Sequence, residues 1–429
     1  MIDHDAVAAL AERGIGPEHK SVPPRAWGLT IREFLDTAPL LAEFQTPVLT
    51  LDRAALESNL HAMAGWASAA GVALAPHGKT SMAPALWARQ LAAGAWGITV
   101  ATVWQAQVAR AFGVRRILLA NEVVDPVALG WVAAQAARDP EFDLVCWADS
   151  VETVETMDRH LAAAPGDHRV GVLVELGGSP GRTGARTVGQ GHGVAAAIGR
   201  SRRLRLAGVG GYEGVLAHDR MASSLTTVRD YLADLARLHR ELCAAGAYSE
   251  EAIVTAGGSS FPDLVVEHLG ELTKEQGAQG MTTTVVLRSG AYLIHDDGFY
   301  AETSPLSTSR RWPLRSAMHG WARVVSRPEP ELALLDAGKR DVPYDYDLPT
   351  PQRADGRALG APASIAALND QHAYLRLPHA EPTELPVGAV VRLGLSHPCT
   401  AFDKWRLIPV IDDADAPSPR VVDLVHTFF

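Results

Sequence analysis

Lys79 is the residue of this sequence best placed for covalent chemistry. It stands in the run PHGKT at residues 76–80, directly after the apolar segment Val72–Ala75. Such a segment is typical of a short buried strand, so the lysine follows a strand end. Burial there disfavours the ammonium form and leaves an amine that can form an imine with a carbonyl group. A lone lysine is more often a solvated charge, so this prediction depends on the residues around it.

Two glycine-rich runs could hold a phosphate group. One is GGSS at residues 257–260, and the other is RSGAY at residues 288–292. Glycine turns offer free backbone N–H groups, and Ser259 or Ser260 adds a hydroxyl, which together are the donors that a phosphate needs. A Gly-Gly-Ser turn is common as a purely structural feature. Its occurrence together with Lys79 favours the phosphate interpretation.

The run HPC at residues 397–399 places an imidazole and a thiol two positions apart. In an extended chain such side chains project to the same side, so both could bind one metal ion, and zinc suits this pair best. Two protein ligands leave coordination positions open for water and substrate, as a catalytic metal requires. The alternative is a buried Cys399 beside an incidental His397.

A (β/α)8 barrel is the simplest fold that positions these residues. The chain alternates short apolar runs with helical stretches, which is typical of parallel strands buried on both faces. Eight such runs are predicted strands: Val72–Ala75, Gly97–Ala101, Arg116–Asn121, Asp143–Trp147, Val170–Leu176, Leu204–Gly210, Ala252–Ala256 and Thr283–Leu287. Barrels collect functional side chains past the C-terminal ends of their strands. Lys79 follows the first predicted strand, Arg182 the fifth and Tyr212 the sixth.

Three regions are predicted along the 429 residues. Residues 1–45 form an N-terminal helical extension, residues 46–305 the barrel, and residues 306–429 a C-terminal β-domain that carries His397 and Cys399. After residue 305 helical periodicity disappears, and short strand-like runs alternate with Pro/Gly turns. Residues 339–356 are predicted to be a long surface loop.

Composition excludes several classes of protein. Lys and Arg number 39 against 49 Asp and Glu, giving a net charge of −10 with no dense basic block, so no nucleic acid partner is expected. The sequence has no secretory signal and no apolar run near the roughly 20 residues of a membrane helix, which predicts a cytoplasmic protein with no membrane partner. Three cysteines are too few for a disulfide framework.

Six short motifs carry a resemblance to a known family. Together they resemble the D-serine dehydratase-like and D-threonine aldolase family, over about residues 45–405. The motifs are TPVLTLD at 46–52, HGKT at 77–80, GRTG at 181–184, YEG at 212–214, GGS at 257–259 and HPC at 397–399. Members are fold-type III pyridoxal 5′-phosphate (PLP) enzymes related to alanine racemase, with a PLP barrel and a β-domain.

The resemblance implies roles for individual residues. Lys79 carries the PLP Schiff base, Arg182 lies near the cofactor ring or its O3′ and has a catalytic part, and Tyr212 flanks the cofactor. His372, in the run NDQH at 369–372, matches a catalytic position, although a loop histidine is about equally often structural. The phosphate group is surrounded by Gly257, Gly258, Ser259, Gly290 and Tyr292, and Zn²⁺ is bound by His397 and Cys399. The family also implies a homodimer, in which residues 1–45 could make oligomer contacts.

Three functions follow from these residues. The first is a zinc-assisted dehydratase that eliminates the β-hydroxyl of a D-3-hydroxy amino acid, such as D-serine, D-threonine or 3-hydroxyaspartate, to give a 2-oxo acid and ammonia. The second is a metal-dependent aldolase that cleaves Cα–Cβ to glycine and an aldehyde. Aldolases of the family tend to have an acidic residue where Cys399 stands, which favours the dehydratase. The third is a non-catalytic PLP-binding protein, but such proteins lack the β-domain.

Overall fold

The computed structural model describes residues 2–164, 166–275, 277, 280–359, 363–377 and 385–429. The chain begins with two short helices, α1 (His4–Ala8) and α2 (Ile31–Asp36), and then forms strand β1 (Val48–Asp52). Helix α2 begins at a capping box, in which the Thr30 side chain accepts from the Glu33 N–H while the Glu33 carboxylate accepts from the Thr30 N–H. Residues of this segment, Phe34 among them, pack on Leu407 and Leu424 of the C-terminal region.

Eight parallel strands form the predicted barrel, which confirms the fold class. They are β2 (Ala73–Leu74), β3 (Ile98–Val100), β4 (Arg116–Glu122), β5 (Asp143–Ala148), β6 (Val170–Leu176), β7 (Leu204–Gly211), β8 (Ala252–Ala256) and β9 (Thr283–Leu287). The strand order is β2-β9-β8-β7-β6-β5-β4-β3. Backbone hydrogen bonds join β2 and β3, from Trp96 N to Leu74 O (2.7 Å) and from Thr99 N to Pro76 O (2.9 Å), so the sheet closes on itself.

Helices cover the outside of the barrel, and apolar side chains fill its interior. The helices are α3 (Arg53–Ala69), α4 (Pro84–Ala92), α5 (Val103–Ala111), α6 (Pro126–Arg138), α7 (Val151–Ala162), α8 (Val188–Arg200), α9 (Ala222–Ala244) and α10 (Pro262–Leu269). Every second residue of a strand points inward. Among those residues Leu118, Val145, Trp147 and Leu173 form a separate buried cluster. The barrel is therefore packed below its C-terminal mouth, and polar groups are left to the strand ends.

A second, mostly antiparallel sheet follows the short helix α11 (Phe299–Thr303). Its strands are β10 (Met318–Glu329), β11 (Leu332–Leu335), β12 (Thr350–Ala354), β13 (Arg357–Ala358), β14 (Ser364–Leu368), β15 (Ala373–Arg376), β16 (Val390–Gly394), β17 (Leu407–Ile411) and β18 (Val421–His426). A short helix, α12 (Pro398–Phe402), lies between β16 and β17. Residues 350–354 pair with β16, so the loop predicted over residues 339–356 is shorter than expected.

Strand β1 belongs to this second sheet, although it precedes the barrel in the sequence. It pairs antiparallel with β10 and parallel with β17. The chain thus contributes one strand to the C-terminal sheet before α3 leads it into the barrel, and the domain boundaries at residues 46 and 306 stay predictions. None of the described helices is long and apolar enough to span a membrane.

Candidate active site

A cavity of about 450 Å³ lies at the C-terminal ends of the barrel strands, where barrels carry their active sites. It brings together nine of the eleven predicted site residues. These are Lys79, Arg182, Tyr212, Gly257, Gly258, Ser259, Gly290, His397 and Cys399. No acidic side chain is found among the described residues that line it. The cavity therefore suits anionic groups such as phosphates and carboxylates.

Lys79 lies in a single helical turn directly after β2. The preceding Gly78 is closely packed, since a Cβ there would lie 2.8 Å from Cγ2 of Ile98 and 3.0 Å from the Trp87 ring. Burial lowers the pKa of Lys79, the charges of Arg182 and Arg288 lower it further, and Cys399 opposes them. Less free energy is therefore needed to deprotonate this amine than a solvated one, as imine formation requires.

Arg182 and Tyr212 face each other across the cavity. The Arg182 guanidinium lies 5.0 Å from the centre of the Tyr212 ring, which is a cation–π contact. Arg182 is exposed to solvent on the turn between β6 and α8, and Tyr212 directly follows β7. The two side chains line the same cavity as Lys79, and their placement beside the cofactor ring stays a prediction.

The glycine turn after β8 differs from the prediction in its hydrogen bonds. The Gly257 and Gly258 N–H groups donate to the two carboxylate oxygens of Glu213, at 3.0 and 2.7 Å. Glu213 is fully buried, and a buried carboxylate needs hydrogen-bond donors, which the two glycine N–H groups provide. The expectation that both N–H groups are free for a phosphate is therefore wrong. Ser259 and Gly290 remain as donors that line the cavity.

Two predicted residues lie outside the cavity. The buried Tyr292 hydroxyl accepts a hydrogen bond from Nε2 of Gln90 (3.1 Å), and its side chain borders a small neighbouring cavity that Ser259 also lines, so its place near the phosphate stays a prediction. His372 is exposed in the turn between β14 and β15. The structure of the single chain does not bring these two side chains to Lys79.

His397 and Cys399 reach the cavity from the second sheet. The backbone here is not extended as predicted: His397 has a positive φ of 50° and Cys399 lies in α12. The left-handed conformation is held by a hydrogen bond from His397 N to Oδ2 of Asp296 (2.9 Å). The Cys399 thiol lies 3.4 Å from Oγ1 of Thr80, so the β-domain turn contacts the Lys79 turn.

The electrostatics of this pair favour a thiolate beside a protonated imidazole. Burial alone would raise the pKa of Cys399, but the hydrogen bond and charge of His397, together with Thr80 and Lys79, hold the pKa below its usual value. Burial lowers the pKa of His397, but Cys399 and Asp345 outweigh it and raise the pKa. A thiolate and an imidazole are the ligands of many zinc sites.

Comparison with known proteins identifies the family. Residues 51–260 match the family described as “Alanine racemase, N-terminal domain”, and residues 317–411 match “Putative serine dehydratase domain”. A D-threonine aldolase of Arthrobacter sp is 30% identical over 379 residues, which cover 87% of this chain and 90% of that protein. The chain belongs to the D-serine dehydratase-like and D-threonine aldolase family. It is therefore a PLP-dependent lyase of fold type III, which contradicts the alternative of a non-catalytic PLP-binding protein.

Other relatives agree with this assignment. A 3-hydroxy-D-aspartate aldolase of Paracoccus denitrificans (strain Pd 1222) is 26% identical over 72% of this chain and 76% of that protein. The crystal structure of a D-threonine aldolase from Filomicrobium marinum has a TM-score of 0.74 and 25% identity, covering 91% of this chain and 98% of that chain. A D-threo-3-hydroxyaspartate dehydratase from Delftia sp. HT23 has a TM-score of 0.69 and 22% identity, with 91% and 99% covered, and shares the fold.

Several residues of this lyase cavity were not predicted from the sequence. Arg288 is buried, donates to Oγ1 of Thr255 (2.7 Å) and lies 4.9 Å from the centre of the Trp147 ring. Its position directly after the eighth barrel strand could have identified it as a cavity residue, because functional side chains collect at such strand ends. Tyr346, in contrast, comes from the loop before β12, and nothing in the sequence near it points to the barrel.

Three carboxylates that do not line the cavity lie close together at the ends of β4, β5 and β6. Ligand atoms of Glu122, Asp149 and Glu175 lie within 4.8 Å of one another in the described structure. Burial, followed by the neighbouring Glu122, raises the pKa of Glu175 to about 8. The Thr183 hydroxyl donates to Glu175 (3.1 Å), so the cluster supports the turn that carries Arg182.

Replacing Glu175 with glutamine is expected to stabilise the protein at alkaline pH. The folded state keeps a proton on Glu175 up to about pH 8, whereas an unfolded glutamate loses it near its ordinary pKa of 4.5. The folded state thus binds more protons between these values, so stability falls as pH rises through this window. At pH 9, Glu175→Gln should melt on the order of 5 °C above wild type. Thermal melts from pH 6 to 9 measure this, with exposed Glu155→Gln as control; equal pH slopes in all three proteins would contradict it.

Proposed function

We propose that this chain is a zinc-dependent D-serine dehydratase-like lyase. It removes the β-hydroxyl of a D-3-hydroxy amino acid and yields a 2-oxo acid and ammonia. The observation that carries the proposal is that His397 and Cys399 line the same cavity as Lys79. One substrate can therefore contact both an amine at its Cα and a metal site at its β-substituent.

The residues of the cavity fit PLP. The Lys79 amine is held at a strand end with a lowered pKa, and Ser259 and Gly290 supply donors in the same cavity. Gly290 cannot carry a side chain there, because a Cβ would lie 2.5 Å from the His77 carbonyl oxygen. When bound, PLP stabilises a carbanion at Cα.

Lys79 is proposed to hold the cofactor and then to take the Cα proton on its Nζ atom. A base works best when its pKa lies near the working pH, and burial moves the pKa of Lys79 in that direction. Arg182 and Arg288 place positive charge around the amine, and a substrate carboxylate would be attracted to them. The chain thus both binds the anionic substrate and moves its proton.

The donor set of His397 and Cys399 fits zinc, because a thiolate and an imidazole are soft and borderline ligands. A bound metal would supply Lewis-acid assistance to departure of the hydroxyl. Solved structures of a D-threo-3-hydroxyaspartate dehydratase include alanine variants of a histidine and of a cysteine two positions apart, and the cysteine variant is in the metal-free form. That spacing equals the spacing of His397 and Cys399 and favours the dehydratase.

Aldol cleavage is the second candidate, because the relative with 30% identity is a D-threonine aldolase. An aldolase would use the same cavity but would remove a proton from the β-hydroxyl and break Cα–Cβ. The products separate the two reactions. Incubation with D-serine, D-threonine and D-threo-3-hydroxyaspartate should give 2-oxo acid and ammonia, whereas glycine plus an aldehyde as the main products would establish the aldolase.

The cytoplasmic location and the homodimer expected for this protein stay predictions.

Ser259→Ala is expected to weaken PLP binding more than it slows chemistry. A hydrogen bond to a charged group contributes about 1.5–3 kcal/mol, which corresponds to roughly a tenfold to hundredfold higher dissociation constant for PLP. Ser260→Ala is the matched control, because its hydroxyl lies beside Oγ1 of Thr303 (3.2 Å) and does not line the cavity. Titration of apoenzyme with PLP measures the effect, and equal PLP affinities in the two variants would refute the phosphate assignment.

A further inference from the structure

Asp345 contacts the His397 turn with both of its carboxylate oxygens. Its Oδ2 lies 2.5 Å from Nδ1 of His397, and its Oδ1 accepts from the Thr400 hydroxyl at 2.7 Å. An imidazole whose Nδ1 is hydrogen-bonded to a carboxylate keeps its proton on that nitrogen, so the lone pair is on Nε2. Asp345 thus selects which nitrogen His397 can offer to a metal ion.

The two residues after Asp345 also contact the turn. The Tyr346 ring lies edge-on to the His397 ring, with centroids 4.7 Å apart, and stacks on Phe299 at 4.4 Å. The Ser396 hydroxyl lies 3.2 Å from Oδ2 of Asp347. Asp345 and Tyr346 therefore contact the imidazole itself, and Asp347 contacts the residue before it. His397 has a left-handed backbone conformation, which is uncommon outside glycine.

The segment that carries these side chains is anchored at Asp341, whose side chain is 5% exposed. Its carboxylate accepts from Nζ of Lys20 (3.0 Å) and from Nε2 of Gln371 (2.9 Å), and its carbonyl accepts from Nε1 of Trp405 (2.9 Å). Lys20 belongs to the N-terminal segment, and its ammonium also lies 3.8 Å from the centre of the Trp405 ring. Residues far apart in the sequence thus hold one end of the segment.

We propose that Asp345 is a positioning residue for a metal ion bound by His397 and Cys399, and that the Lys20–Asp341 ion pair holds the segment of residues 341–347 in place for it. This inference rests on the proposed function. It assigns a role in the active site to the N-terminal segment, which does not itself line the cavity. Carboxylates that orient a metal-binding histidine typically raise metal affinity 10- to 100-fold.

The test is the zinc affinity of the PLP-loaded enzyme, measured by competition with a chelator of known affinity. Asp345→Asn is expected to raise the zinc dissociation constant about 10- to 100-fold. The absorption of the PLP–lysine linkage and the melting temperature should stay at wild-type values. Asp370→Asn is the matched control, because its exposed carboxylate lies 3.5 Å from Nη2 of Arg340 and it does not line the cavity, so the zinc affinity of this variant should not change.

Two further variants extend the test. Lys20→Met removes the ion pair with Asp341 but leaves Asp345 in place, so it should weaken zinc binding less than Asp345→Asn does. Lys20→Arg keeps a positive charge beside Asp341 and should restore zinc binding. Thr400→Val removes the second contact of Asp345 and should weaken zinc binding even if Asp345→Asn does not fold. A wild-type zinc affinity in Asp345→Asn or, if that variant does not fold, in Thr400→Val would overturn the inference. If His397→Ala also kept its zinc, the proposed metal site itself would be wrong, which distinguishes the two failures.

Discussion

Lys79→Ala is expected to lower kcat by a thousandfold or more and to leave PLP bound without a covalent link. General-base catalysis alone contributes about 10²- to 10⁴-fold, and this variant loses both the base and the attachment point. Lys274→Ala, which removes an exposed lysine paired with Glu271, should keep full activity. Borohydride treatment followed by peptide mass spectrometry checks the attachment. A pyridoxyl adduct on a lysine other than Lys79 would contradict the assignment.

His397→Ala and Cys399→Ala are expected to abolish ammonia release while the covalent PLP–Lys79 linkage persists. Lewis-acid assistance contributes several kcal/mol, so its loss should slow elimination by about a thousandfold. Cys243→Ala is the matched control, since this free cysteine is half-buried on α9 and does not line the cavity. Metal content, PLP absorption and product formation are measured on the same samples. Wild-type elimination by a zinc-free Cys399→Ala variant would show that the pair is only structural.

Cys399→Asp tests whether the type of ligand at residue 399 decides which metal ion binds and which products form. A carboxylate oxygen favours harder ions such as manganese over zinc. The variant also acquires the acidic residue that aldolases of the family tend to show at this position. We expect glycine and aldehyde to increase relative to 2-oxo acid when the variant is loaded with manganese. The ratio of the two product pairs measures this change.

The barrel strands were predictable because each is a short apolar run, and burial on both faces leaves a signal that needs no long-range information. Lys79 and the glycine turns were predictable for a related reason: parallel strands bring their C-terminal ends to one edge. The pairing of β1 with β10 and β17 could not be predicted in this way, because the sequence of Val48–Asp52 resembles that of any other apolar strand. Its sheet is decided by partners more than 250 residues away.

The errors at the site have the same origin. The sequence places Glu213 next to Tyr212, but only the fold shows that its carboxylate accepts hydrogen bonds from the Gly257 and Gly258 N–H groups. The spacing of His397 and Cys399 indicated a shared site, but the strand-like backbone assumed for them was wrong, because Pro398 begins a helical turn. Residue type and spacing thus predicted which side chains meet, whereas hydrogen-bond partners depended on tertiary contacts.

The most direct test of the account compares two reactions of D-serine on the holoenzyme before and after complete metal removal. Lys79 is proposed to act at Cα without the metal, and His397 and Cys399 at the β-hydroxyl only with it. Exchange of the Cα proton with deuterated solvent should therefore persist in the stripped enzyme, while ammonia release falls about a thousandfold and returns when zinc is added. Unchanged ammonia release from enzyme that elemental analysis shows to be metal-free would contradict the account.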